Sequence, residues 1–159
     1  MGRLQGTRRQ SDQEAQVIRR QAIVLLALVG LLVATYLWLY KLGVLGELQC
    51  GTGSCEYVQT SRYADLLGLP VALYGVAGYA TLLALGLAGL QPRFASDRRV
   101  SVLLAALATA GFAFTIYLTA IELFVLHAIC RWCLASAAIM TAIWLLSLAD
   151  LRRAPAATP

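Results

Sequence analysis

Apolar residues fall along this chain in four long runs separated by short polar stretches. The runs are 21–40, 66–90, 100–121 and 132–149, and none of them contains a charged residue. A helix rises 1.5 Å per residue, so about 20 apolar residues cross a hydrocarbon core of about 30 Å. Four buried helices of this kind in a soluble domain would need polar elements to cover them. The chain outside the runs is too short to supply that cover. The first run is also longer than the roughly 7–15 apolar residues of a cleaved signal peptide, and no small-x-small site follows it. Tyr36, Trp38 and Tyr40 close it instead, as in an aromatic belt at a membrane surface. The pattern predicts an all-α integral membrane protein, a four-transmembrane-helix bundle.

Charge then orients the bundle. Only 13% of the 159 residues are charged and 60% are hydrophobic, against about 25% charged in an average soluble domain. The basic residues are unevenly placed. Arg3, Arg8, Arg9, Arg19 and Arg20 precede the first run, Arg93, Arg98 and Arg99 lie in the second loop, and Arg152 and Arg153 follow the last run. Lys41, Arg62 and Arg131 alone fall on the other side, a bias of ten to three. Cytoplasmic loops retain Lys and Arg, so both termini are expected in the cytoplasm, with a multi-pass chain in the plasma (inner) membrane. The organisation expected is a cytoplasmic segment 1–20, a membrane domain 21–151 and a cytoplasmic tail 152–159. The first dozen residues and the Ala/Pro-rich tail are expected to be mobile. The net charge of +5 follows from the topology-setting arginines. No basic patch with interleaved aromatics suggests a nucleic-acid partner. The lipid bilayer is the expected surround.

All four cysteines fall on the outward side. Cys50 and Cys55 lie in the first outward loop, and Cys130 and Cys133 form Cys-Arg-Trp-Cys at the start of the fourth run. That side is oxidising in a bacterial-type membrane, which permits disulfides. Pairing within each motif is the expected resting state, although four cysteines allow three connectivities. A helix N-terminus stabilises a thiolate at the Cys-x-x-Cys pair, and Arg131 adds to it. A thiol acidified in this way is a better leaving group, so the pair becomes more oxidising. Its position at the hydrocarbon edge exposes it to a lipid-soluble oxidant. Gly51 and Gly53 make the loop pair flexible enough to meet a soluble partner and swing back. Two inert disulfides that staple the loop are an alternative, as in a structural membrane subunit. A cysteine-based metal-ion transporter is another, but transport favours cysteines or carboxylates deep in the spans. No metal site is expected, because four thiolates here lack the polar neighbours usual around zinc.

The motifs resemble the vitamin K epoxide reductase family in its bacterial form, from about Tyr36 to Trp144. They are Cys50 with Cys55-Glu-Tyr-Val-Gln-Thr-Ser61-Arg-Tyr63, then Leu67-Gly68-Leu69-Pro70-Val-Ala-Leu-Tyr74-Gly75, then Tyr117-Leu118 and Ala128-Ile129-Cys130-Arg-Trp-Cys133. The resemblance implies an outward loop carrying a short half-buried helix, and an electron relay. A thioredoxin-fold oxidase outside the membrane passes electrons to Cys50, Cys55 attacks the inner pair at Cys130, and Cys133 contacts a quinone, either menaquinone or ubiquinone. With 26 residues after Cys133, the partner is expected to be a separate chain. Four residues after Cys133, human-type enzymes have a tyrosine that hydrogen-bonds the quinone. Ala137 stands there in this chain, which argues against epoxide reduction and for a bacterial quinone acceptor.

Five further residues are candidates for quinone binding or for positioning the loop. Ser61 matches a family Ser/Thr that holds the loop helix, with an N-cap or a Ser/Thr turn as its plainer role. Glu122, late in the third run, serves either as a proton relay or as an interfacial carboxylate. His127, the single histidine, has the proton affinity to serve a quinone oxygen. Tyr74 and Trp132 line a quinone pocket or belong to the aromatic belt.

Overall fold

The computed structural model describes residues 2–51, 53–94 and 97–153. Four long helices carry the four apolar runs: α1 (Gly2–Lys41), α3 (Val71–Leu90), α4 (Arg98–Ala120) and α5 (Arg131–Arg153). Each is long and apolar enough to span a bilayer. α1 packs on α3 and α5, and α4 packs on the same two, so the four close into a bundle. The short helix α2 (Cys55–Thr60) lies in the connection from α1 to α3, with Cys55, Val58 and Gln59 buried. It is the half-buried loop helix that the resemblance implies.

Two boundaries differ from the hydropathy reading. α1 reaches back to Gly2, so the polar residues before the first run continue the helix instead of leaving it. The second span starts at Val71, five residues after the apolar run begins. Leu66–Pro70 is apolar but cannot be helical. Leu67 and Gly68 have φ of 53° and 81°, and the residue before a proline is driven away from the helical region. The segment instead forms a tight antiparallel hairpin, β1 (Asp65–Leu66) with β2 (Leu69–Pro70). The Ala/Pro-rich tail beyond Arg153 lies outside the described residues.

The bundle core is small-on-large packing. Ile23, Ala27, Ala34, Tyr79, Leu82, Leu104, Ala108 and Ile143 bury their side chains between the helices. Gly30 of α1 lies directly under Tyr79 of α3, where a Cβ would collide with the ring. The Tyr79 hydroxyl in turn meets Ser136 of α5 at 2.9 Å. Small residues of this kind let apolar helices approach when lipid supplies no hydrophobic contrast.

At the end of the bundle away from the cysteines lies a buried polar knot. Arg20 of α1 pairs with Asp150 of α5 at 3.3 Å. Ser101 of α4 donates to the same carboxylate oxygen at 2.7 Å and accepts from Arg20 at 3.0 Å. Arg20 also donates to the carbonyl of Gly89 in α3. One arginine, 2% exposed, therefore touches all three other long helices.

Candidate active site

The chain leaves α1 through a left-handed glycine. Gly43, at φ 73°, lets its own N–H reach Tyr40 O and that of Val44 reach Leu39 O, which closes the helix end. The returning segment before Cys50 is then clamped. Gln49 N donates to the Tyr36 hydroxyl at 3.0 Å, and Trp132 Nε1 donates to Gln49 O at 3.0 Å. The Tyr36 and Trp132 rings lie 5.0 Å apart. This clamp holds Cys50, which is disulfide-bonded to Cys55 at the start of α2. Gly51, at φ 60°, makes the intervening turn. Gly53 lies so close that a Cβ there would stand 2.8 Å from Cys50 Sγ. Ser54 N donates to Ile129 O at 3.1 Å, tying the loop to the connection before α5. The glycines read as a source of flexibility thus serve a turn and a close approach, and in this state the loop is pinned.

The Ser54–Ile129 bond brings the next residues of each segment together. Cys55 and Cys130 are both fully buried in one cluster with Leu37, Val58 and Ala128. Cys130 stands at the threshold of α5, where its sulfur accepts from Cys133 N at 3.3 Å. The hydrogen bond with the Cys133 thiol holds the Cys130 thiol below its ordinary range. The backbone N–H groups of Cys133 and Trp132 act the same way, against burial and the nearby Glu122 charge. Cys130 and Cys133 are free thiols. Of the two disulfides expected at rest, the outer one is formed and the inner one is open.

Cys133 points the other way, into a cavity of about 170 Å³ between α1, α3, α4, α5 and the loop. It is the one cysteine of the four in the cavity wall. Opposite it stands Glu122. α4 ends in a π turn, Ile121–Val125, and the extra residue per turn swings Glu122 inward, a common use of π segments at sites. Its Oε2 accepts from Cys130 N at 3.4 Å. Its carboxylate and the sulfurs of Cys130 and Cys133 all lie within 4.8 Å of one another. From the loop side, Gln59 Nε2 donates to Cys133 Sγ at 3.6 Å. Gln59 is 8% exposed, and Lys41 fixes its main chain by donating to Gln59 O at 3.0 Å and to Asp65 at 2.9 Å.

Of the other candidates, Ser61, Tyr74 and Glu122 line the cavity, whereas Trp132 and His127 do not. Ser61 follows α2 and donates back to Val58 O at 2.7 Å, a local turn bond and not an N-cap. Tyr74 donates to Leu66 O at 3.0 Å and so holds the hairpin beside the cavity mouth. Trp132 positions the loop through Gln49. His127 sits exposed on the turn before α5, at φ 48°. Gln59, Thr115, Thr119 and Ser136 also face the cavity and were not singled out from sequence. Gln59 carried one usable signal: it lies four residues after Cys55, on the same face of α2. Ala137 is in the wall as well, so no hydroxyl stands at that position.

The site therefore joins a buried loop disulfide, with Cys50 9% and Cys55 0% exposed, a buried thiol, and a second thiol facing a mostly apolar cavity. The sequence model described as vitamin K epoxide reductase family matches residues 21–148.

Proposed function

The chain belongs to the vitamin K epoxide reductase family, membrane oxidoreductases that exchange electrons between thiols and quinones, and on that premise we propose the following relay. The protein reoxidises a thioredoxin-fold oxidase outside the cytoplasm and delivers the electrons to a quinone, menaquinone or ubiquinone. The ten-to-three bias of basic residues supports cytoplasmic termini and an outward cysteine end.

A thiol of the partner attacks Cys50, and the partner's second thiol then closes its own disulfide. Cys50 and Cys55 are left as thiols. Cys55 attacks the oxidised inner pair at Cys130, and Cys133 leaves. Cys50 then displaces Cys130 from Cys55, which restores the outer disulfide and leaves the inner pair as a dithiol. That is the redox state of this structure. When the inner disulfide re-forms, two electrons and two protons pass to the quinone, which leaves as quinol. Glu122 accepts the Cys133 proton, and the Gln59 amide holds the sulfur as negative charge builds on it. Ser61 and Tyr74 shape the loop that covers the cavity, and Ala137 favours a plain quinone over an epoxide substrate.

The observation that carries this reading is the division of labour among the sulfurs. Cys133 alone lines the cavity, while Cys130 is buried between it and Cys55. An inert-disulfide reading gives no reason for a thiol that faces a cavity, and a metal-transport reading lacks cysteines or carboxylates deep along the spans. Trapping tests the order of transfer. In a Cys133→Ser variant kept free of partner, Cys130 can only exchange with the Cys50–Cys55 disulfide, the reverse of the last step. With the released thiol blocked by alkylation, peptide mapping is expected to find a Cys55–Cys130 linkage and an alkylated Cys50. A Cys50–Cys130 linkage in its place overturns the order.

A further inference from the structure

We propose that Cys130, Cys133 and Glu122 form a binding site for a thiophilic divalent cation, Zn²⁺ above all, that exists only while the inner pair is reduced. Bound there, the ion holds the pair as thiolates and stops electron transfer until it is withdrawn. The binding stands on geometry alone. Its regulatory consequence rests on the relay proposed above.

Three donors of the right chemistry converge. Zinc takes thiolates at about 2.3 Å and carboxylate oxygens at about 2.0–2.2 Å, so donors on a tetrahedral ion stand about 3.6–3.8 Å apart. Here the two sulfurs and the carboxylate oxygen already lie within 4.8 Å of one another. Side-chain rotation of about an ångström closes the rest. Cys130 immediately precedes α5 and Cys133 lies in its first turn, and the carboxylate comes from the π turn that ends α4. That turn, an irregularity in an otherwise regular span, is what aims the carboxylate at the sulfurs.

Charge favours the ion as well. Among the described residues no lysine or arginine pairs with Glu122; the ion pairs lie at Arg20–Asp150 and Lys41–Asp65. Two thiolates and a carboxylate would gather three negative charges in a half-buried place, which a divalent cation offsets. A fourth ligand is close. Gln59 presents its amide nitrogen to Cys133, and a flip of that amide presents its oxygen instead. The outer pair cannot contribute, because it is bridged. Binding releases two thiol protons and moves no electrons. Oxidation of the pair to a disulfide removes both sulfur ligands, so metal and quinone compete for one redox state.

The test uses the full chain in detergent, with Cys50→Ser and Cys55→Ser so that only the inner thiols remain. It is titrated with Co²⁺, whose visible bands report tetrahedral thiolate ligation, and then with Zn²⁺ in competition. One ion per chain is expected, with tetrahedral bands in the reduced protein and none after oxidation. Glu122→Gln, checked as monodisperse, is expected to retain sulfur-to-cobalt bands and to bind at least about tenfold more weakly. Unchanged affinity in Glu122→Gln, or equal binding by oxidised protein, overturns the site. Quinone reduction by wild type with no cobalt site sinks this proposal and leaves the relay intact. A cobalt site in a protein that never reduces quinone does the reverse. With both present, one equivalent of Zn²⁺ is expected to block quinone reduction at least tenfold, reversibly with chelator.

Discussion

Gln59→Leu removes an amide donor to the cavity-facing sulfur and keeps nearly the same volume. In the resting thiol form the bond is long, 3.6 Å, and joins two neutral groups. It gains strength only as Cys133 becomes anionic. A hydrogen bond to a charged group contributes about 1.5–3 kcal/mol, and the length of this one argues for the lower end. Gln59 is 8% exposed and the cavity beside it is mostly apolar, so water replaces the lost donor poorly. At about 1.4 kcal/mol per factor of ten, electron transfer from the inner pair to quinone should slow roughly tenfold. The step from partner to Cys50 should not change, because Gln59 touches neither Cys50 nor the clamp around it. Rapid mixing of pre-reduced protein with quinone isolates the first step, and mixing oxidised protein with reduced partner isolates the second. Equal slowing of both steps would mean that the variant has loosened α2. No slowing of the quinone step would refute the role given to Gln59.

Asp150→Ala strands a buried Arg20 among four helices. Breaking a buried pair in this way typically costs about 3–5 kcal/mol, whereas replacing both partners with apolar residues costs far less. Thermal unfolding in detergent should show a large drop for Asp150→Ala and a smaller one for Arg20→Leu with Asp150→Leu; equal drops would contradict the pairing. Trp132→Phe keeps a ring against Tyr36 but loses the donor to Gln49 O. At about 1 kcal/mol for a net hydrogen bond, stopped-flow reaction of Cys50 with reduced partner should slow about fivefold, and the quinone step should hold.

The four spans were legible because hydropathy over about 20 residues reports on the solvent, and the solvent here is lipid. What fails at the boundaries is backbone geometry, which hydropathy does not sense. Leu66–Pro70 reads as span by composition and folds as a hairpin because Leu67 and Gly68 take positive φ. The cysteine pairs were legible as motifs, yet their unequal roles needed the bond from Ser54 to Ile129, which joins residues 75 apart in the chain. In sequence Glu122 fits a proton relay and an interfacial carboxylate alike, because its place in the cavity wall beside Cys130 and Cys133 depends on how α4 ends against a distant helix. Arg20 was counted as one more topology-setting arginine, and nothing local distinguishes it from Arg19. Its burial depends on Ser101 and Asp150 in distant helices.

The central claim is that electrons reach quinone through Cys133. Purified protein, a reduced thioredoxin-fold oxidase and a quinone are mixed, and quinone absorbance is followed beside the Cys133→Ala variant. The account predicts steady loss of quinone with wild type, one equivalent per disulfide formed in the partner, and no loss with Cys133→Ala. Quinone reduction that survives Cys133→Ala contradicts it.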